Sequence, residues 1–403
     1  MNLQTLPHEI RQVSVHVEDN EAGLITKGSA YDYQPVDPGH FVSLTMRRPG
    51  LAGYASGALH PIFAQTLPEG FNRQFIAERL ARYAKVDDLY LLALQGRHGI
   101  GMLRYQSDFQ LPESKPASLS EILTYQAKEP LFPQLLERYY LGRSLAGMQP
   151  KVGLAVTDRT VEQHEVILKS FDPEFPLLTV NEFVCMEAAR YCGLNPPKVY
   201  LSNDLATFVV ERFDQPAQCP LGFEDFTVLM RRPSSPDAKY IGSYESLLSA
   251  TYQYTNSLIE VERMYGYLVF NCLIGNGDAH LKNFALQYQP DMKNIFVAPP
   301  FDITHTLIYG SIDDQMALKM DGDKSFPRRS ALVDLAQGKG FRVADPDQVI
   351  DRMATGILEY VERSSEIDLL PGLKQSIKQS VAAGATRQAT AKPFRHSKKR
   401  KFE

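Results

Sequence analysis

Residues 275–284 read Gly275-Asn276-Gly277-Asp278-Ala279-His280-Leu281-Lys282-Asn283-Phe284. The preceding run, 259–274, places Val261, Met264, Tyr265, Leu268, Val269, Cys272 and Leu273 on one face at the 3.6-residue period, so it predicts a buried helix. Gly275 and Gly277 end that helix, and Ala285-Leu286-Gln287-Tyr288 reads as a strand. A polar loop between helix and strand therefore carries Asp278 and Asn283 five positions apart. A carboxylate there can orient a hydroxyl and take its proton. An amide oxygen one loop turn later is a hard ligand for a divalent cation.

The Asp-x4-Asn spacing is that of a kinase catalytic loop. Asp302, in Pro299-Pro300-Phe301-Asp302, follows Asp278 by 24 residues, after a predicted strand and turn, and can return a second metal-binding carboxylate to the same cleft. Val166-Ile167-Leu168-Lys169 reads as a buried strand closing on a lysine able to hold the α- and β-phosphates. Glu182, on the helix after it, can pair with Lys169, with Glu187 as its rival. Each residue alone has a plainer reading: Asp278 and Asp302 as turn residues, Lys169 as a strand end, His280 as a brace for the loop rather than a catalyst. Their order along the chain joins them into one constellation.

Outward from these segments, the 403 residues suggest two or three domains, with the composition of a soluble globular protein (44% hydrophobic, 22% charged). A net charge of −4 argues against a chain devoted to coating nucleic acid or an anionic membrane. No apolar run of membrane-spanning length occurs, and the start lacks a secretory pattern. Cys185, Cys192, Cys219 and Cys272 form no CxxC pair and are expected as buried thiols, which makes the cytoplasm the expected location.

Near the start, Val13, Val15 and Val17 alternate, as Phe41 and Leu44 do less cleanly, so short strands are expected. A helix carrying Phe75, Ile76, Leu80 and Tyr83 should follow Leu67-Pro68-Glu69-Gly70. Gly96, Gly99 and Gly101 form a turn before another strand, with a phosphate cradle as the lesser alternative. Residues 111–117 read as a linker, followed by a short helix, strands near 151–156, 165–169 and 206–211, and a helix over 179–192. Beyond Phe213 helices take over. The expected fold is α+β and two-lobed, divided as 1–110, 111–214, 215–389 and a basic, disordered tail over 390–403. That tail is read as a solvated end, with contact to nucleic acid or an acidic partner as the alternative.

Taken together, these motifs resemble the HipA-like serine/threonine kinases, the toxin members of bacterial toxin–antitoxin pairs. The resemblance rests on the Asp-x-His-x-Lys-Asn core at 278–283, Ser144-Leu145-Ala146-Gly147-Met148-Gln149-Pro150-Lys151, Asn181-Glu182, Glu211-Arg212-Phe213-Asp214, and Phe63 with Thr66-Leu67-Pro68-Glu69-Gly70. It implies a protein-kinase-like fold with a small N-terminal mixed subdomain, a strand-rich N-lobe and a helical C-lobe. It implies Asp278 as catalytic base with His280 beside it, and Asn283 and Asp302 as Mg2+ ligands. Lys169 and Lys282 would contact ATP, as would Ala146, Gly147, Met148, Gln149 and Lys151 in a phosphate-binding loop. The backbone of Glu211 and Phe213 would meet adenine, and Ser144 would be autophosphorylated to eject the loop and silence the enzyme. Glycines are sparse in that loop and Pro150 lacks an N–H, so the loop's own spacing is a weak phosphate signal. The partners implied are a translation-related protein substrate such as an aminoacyl-tRNA synthetase, a small helix-turn-helix antitoxin, and DNA through that antitoxin, with no membrane. Two rivals are a small-molecule phosphotransferase, which would not need the N-terminal part, and a non-catalytic co-repressor or scaffold, which would not need Lys169, Asp278, Asn283 and Asp302.

Overall fold

Buried residues alternate with more exposed ones along Gln12–Val17, the first strand, β1, which is an interior strand of an antiparallel sheet. The computed structural model describes residues 3–39, 41–47, 53–109, 111, 115–127, 129–143, 151–157, 163–171, 173–215, 220–233, 235–338 and 340–387. Ser144, Ala146, Gly147, Met148 and Gln149, Cys219 and the basic tail lie outside these residues. β1 pairs with β2 (Asn20–Lys27) on one side; β3 (Tyr31–Pro35) and β4 (Tyr54–Ser56) extend that side, and β5 (Leu103–Gln106) pairs on the other. Helices α1 (Pro61–Ala64), α2 (Gly70–Leu80) and α3 (Asp88–Gln95) lie between β4 and β5 in the chain. The strand expected around Phe41 and Leu44 is instead a single 3-10 turn, Leu44–Met46. Its geometry is set from afar: the Leu44 N–H and the Ser43 hydroxyl both donate to Glu224, at 2.6 and 2.9 Å.

The second sheet has the order β6 (Ala117–Ser118), β7 (Lys151–Thr157), β8 (Gln163–Lys169), β10 (Phe208–Glu211), β9 (Val199–Leu201). Helices α4 (Leu119–Leu123) and α5 (Leu131–Arg143) precede β7, and α6 (Leu178–Tyr191) follows β8. The sequence reading has one short helix where α4 and α5 stand. Pro133 falls in the first turn of α5, where a missing N–H costs no intrahelical bond. Along β8, Val166 and Leu168 enter the core, whereas Ile167 and Lys169 line a cleft on the other face.

The C-terminal half is built around α9 (Leu258–Ile274), preceded by α7 (Phe226–Leu229) and α8 (Tyr244–Thr255). It packs on α8, on α11 (Pro346–Arg363) and on α12 (Leu373–Ala385), with α10 (Arg329–Leu335) against α11. Strands persist where helices alone were expected: β11 (Gly222–Asp225), β12 (Ala285–Tyr288) and β13 (Phe296–Val297) form a small sheet, and two hairpins follow. Cys185, Cys192 and Cys272 are buried free thiols. No helix among the described residues is long and apolar enough to cross a membrane.

A buried ion pair fastens the N-terminal sheet to the segment joining the other two parts. Arg212 Nε donates to Asp214 Oδ1 at 3.1 Å, and its terminal nitrogens reach the His98 and Gly99 carbonyls at 3.2 and 2.7 Å. Asp214 in turn accepts the Gly101 N–H at 2.7 Å. Gly101 has φ +72°, and a Cβ there would lie 3.1 Å from the Phe223 backbone nitrogen, so the turn needs glycine both for its conformation and for its close approach.

Candidate active site

Lys169 closes β8 and points into the cleft, where its ammonium bonds Glu182 of α6 at 2.5 Å and also Asp302. Burial works against its charge, but the Asp302 and Glu182 carboxylates outweigh it and hold Lys169 protonated beyond the ordinary lysine value. Burial would also raise the Asp302 pKa, yet Lys169 and Lys151 keep that carboxyl well below the usual range. Glu182 is the weaker acid, pushed by burial up to about 7 although Lys169 opposes the shift. Glu187 turns away and pairs with Arg190 at 3.0 Å, which leaves Lys169 to Glu182.

Asp302 has φ +59°, a conformation costly for a non-glycine residue and held by its neighbours. On one side, the buried Tyr267 hydroxyl of α9 accepts the Phe301 N–H at 3.2 Å and lies 2.9 Å from the Phe301 carbonyl and 3.2 Å from that of Asn283. On the other, Asn181 accepts the His305 N–H and donates to its carbonyl, both at 2.8 Å. The His305 ring bridges the Ile274 carbonyl and the Ser376 hydroxyl, each at 2.6 Å. Asp302 is thus positioned by α6, α9 and α12 together.

The catalytic-loop candidate begins where Gly275, at φ +81°, caps α9. A Cβ at Gly275 would lie 2.7 Å from His305 Nδ1, so the two loops share one tight junction. Asn276 accepts the Asp278 N–H at 3.1 Å, and Asn283 Nδ2 donates to the Asp278 carbonyl at 3.0 Å. Tyr240 donates to Asp278 Oδ1 at 3.4 Å. The Asp278 carboxyl is open to the cleft but crowded by protein behind it. Burial pushes its pKa up to about 6, with Lys239 opposing and Asp302 reinforcing the shift. His280 is buried edge-on to Tyr240, its Nδ1 has no hydrogen-bond partner among the described residues, and burial lowers its pKa to about 3, so the ring is neutral.

These residues share a cleft of about 610 Å³, within the range of small-molecule sites. Lys151, Lys169, Glu182, Glu211, Phe213, Asp278, His280, Lys282, Asn283 and Asp302 all line it. Along its lining the rings of Phe213, Phe223 and Phe301 pack mutually at 5.5–6.1 Å between centroids. The Glu211 carboxylate accepts the Tyr200 hydroxyl at 2.6 Å, and its N–H donates to the Lys198 carbonyl at 2.9 Å. Lys282 is bound at 2.5 Å by Glu69, from the N-terminal part, so that part also walls the cleft. Glu69, Lys239, Tyr240 and Tyr267 are site residues that sequence reasoning missed; Glu69 was visible only as one residue of a turn.

Residues 143–362 match the HipA-like C-terminal domain, and residues 13–106 match the HipA N-terminal domain. A Sinorhizobium fredii protein bearing a provisional kinase name, Y4mE, is 27% identical over 321 residues, covering 73% of this chain and 75% of its own. The serine/threonine-protein kinase toxin HipA of Shewanella oneidensis is 24% identical over 296 residues, covering 66% of this chain and 68% of its own. A chain in the solved complex of HipA, HipB and operator DNA from Shewanella oneidensis MR-1 superposes with a TM-score of 0.67 at 19% identity, covering 92% of this chain and 97% of that one. That likeness is one of fold, and it establishes the α+β, two-lobed kinase-like architecture. With both domains matched, the C-terminal one over more than half of the chain, the chain belongs to the HipA family.

Proposed function

We propose that this chain is a magnesium- and ATP-dependent kinase that phosphorylates serine or threonine on a protein of the translation machinery. The observation that carries the reading is the convergence of Asp278, Asn283, Asp302 and Lys169 on one cleft. The donor set suits Mg2+: Asn283 spends its amide nitrogen on the Asp278 carbonyl, leaving its oxygen for a ligand, and Asp302 gives Lys169 one carboxylate oxygen and keeps the other. Two protein oxygens are what a cation that retains water and phosphate oxygens requires. When bound, that ion would neutralise the phosphates. Lys169 would hold the α- and β-phosphates, with Lys151 and Lys282 as further cations. The Glu211 main chain and the Phe213 N–H would meet adenine over the three phenylalanine rings. Asp278 would orient the acceptor hydroxyl and take its proton as the oxygen bonds the γ-phosphorus, while the bond to the β–γ bridging oxygen breaks and ADP leaves with that electron pair.

The relatives named as kinases support this reading, and the HipA–HipB–operator complex supports a small DNA-binding antitoxin as partner. Autophosphorylation of Ser144 as an off-switch belongs to the same proposal. The test is incubation of the purified chain with γ-labelled ATP and magnesium, alone, with cell extract, and with small amino-alcohols. Label on the chain or on an extract protein is expected. Label confined to a small molecule would point to the phosphotransferase alternative, and absence of nucleotide binding to a scaffold.

A further inference from the structure

Among the described residues four lysines line the cleft, and they are not equivalent. Lys169 is neutralised by Glu182 and Asp302, and Lys282 by Glu69. Lys151 lies on the N-lobe wall, where it faces Asp302 electrostatically. Lys239 stands on the opposite wall beside Asp278. Only 7% of it is exposed, yet its ammonium has no hydrogen bond or ion pair among the described residues. Its ammonium lies 5.1 Å from the centroid of the Tyr240 ring, and its charge is felt by the Asp278 carboxylate without a direct ion pair among the described residues. A cation withdrawn from water this far is costly unless an anion completes the site.

The fold holds Lys239 in place. It sits on one 3-10 turn, Pro236–Tyr240, opened by a proline and closed by the Ile241 N–H donating to the Ala238 carbonyl at 3.1 Å. Ala238 is buried beneath it. Two residues beyond the end of the turn, a Cβ at Gly242 would lie 3.3 Å from Leu281 of the catalytic loop, and Tyr240 bonds Asp278 directly. The turn is packed against the loop that carries the base, so the ammonium is fixed relative to that carboxylate. Asn283 and Asp302 approach the same space from the metal side.

We propose that Lys239 binds the phosphoryl group in transit, on the side away from the Asn283 and Asp302 oxygens. This inference rests on the phosphoryl-transfer reading above. As the acceptor oxygen bonds the γ-phosphorus and ADP departs with the bridging oxygen's electron pair, the acceptor proton passes to Asp278 and Lys239 keeps its own. Its charge offsets the negative charge spread over the equatorial oxygens and matters most when those oxygens are planar.

The experiment compares the full chain with Lys239→Met and Lys239→Arg. Expected for Lys239→Met is a kcat reduced roughly 100-fold with the KM for ATP nearly unchanged. The extra affinity that aluminium fluoride, a planar phosphoryl mimic, lends to fluorescent ADP with magnesium should also disappear. Lys239→Arg should recover a substantial part of both. Retained ATP affinity shows that the variant is folded, and Lys239→Gln replaces it if that affinity is lost. A kcat within twofold of the wild type, a loss confined to the KM for ATP, or equal impairment of Met and Arg variants overturns the proposal. A wild type that binds ADP with aluminium fluoride no better than ADP alone and labels no hydroxyl overturns the kinase reading along with it.

Discussion

Two groups of buried charge lie within one stretch of chain, and they are treated in opposite ways. At the junction with the N-terminal sheet, Arg212 and Asp214 are 2% and 8% exposed at the side chain, and each finds its partners inside the protein: each other, two carbonyls and an N–H. In the adjoining cleft, among the described residues, Lys239 has no ion pair, and His280 Nδ1 and Glu182 Oε2 are buried without a hydrogen-bond partner. A closed network fixes geometry, whereas an open one keeps binding capacity in reserve at a cost in stability. The motif Glu211-Arg212-Phe213-Asp214 contains both kinds: Arg212 and Asp214 fasten the N-terminal part, and Phe213 forms the floor of the cleft with Phe223 and Phe301.

The contrast can be broken at either end. Asp278→Ala should lower transfer by about 1,000-fold, the middle of the range for a lost general base, with the thermal midpoint almost unmoved. A variant with wild-type turnover in the label-transfer assay would remove Asp278 from the role of base. Arg212→Met should do the reverse. Leaving Asp214 buried and unpaired should destabilise the fold by about 3–5 kcal/mol, read by urea denaturation, while turnover per folded molecule is kept. Equal loss of turnover in the folded fraction would mean the junction acts on the chemistry.

Acid should also separate the two. The Asp278 pKa is raised to about 6, so the carboxylate proposed as base is present above that pH and lost as pH falls through it. Burial would raise Asp214 as well, but Arg212 and the Gly101 N–H reverse the sign and its pKa is lowered. A lowered folded-state value means that its stabilisation is present above the unfolded-state pKa and fades only as pH falls through the folded one. At pH 5, transfer should therefore be mostly gone with far-ultraviolet circular dichroism unchanged. Simultaneous loss of both would show that the groups titrate as one unit. The smallest effect belongs to Arg79→Ala. Its pair with Glu137 is about half exposed at both side chains, so chemical denaturation should register less than about 1 kcal/mol.

How much was legible beforehand follows the same division. The loop at 275–284 could be read because its chemistry is local: the α9 period, the two glycines and the Asp-x4-Asn spacing lie within a few turns of chain. Lys169, Glu182 and Asp302 could be ordered along the sequence, and β8 alternation brings Lys169 to the cleft face. Lys239 carries no local signal, because its burial without an ion pair among the described residues is a matter of packing. Glu69 and Tyr267 act across 213 and 34 residues respectively, beyond any periodicity. The turn at 44–46 was misread as strand for the same reason, since its backbone is committed to Glu224, 180 residues away.

The pairing of β7, β8 and β10 sets Lys151, Lys169 and Phe208 in one row across the sheet. A side chain's face in such a sheet depends on whether its count along the strand is odd or even. Deleting a single residue inside β8 would thus spare the ladder's capacity to pair while turning the lysine at its end towards the hydrophobic interior. Shortening by two would restore the facing but pull the amine inward by roughly 7 Å, out of reach of both carboxylates. Neither length change can be absorbed, so β8 works as a ruler whose parity and extent are both fixed.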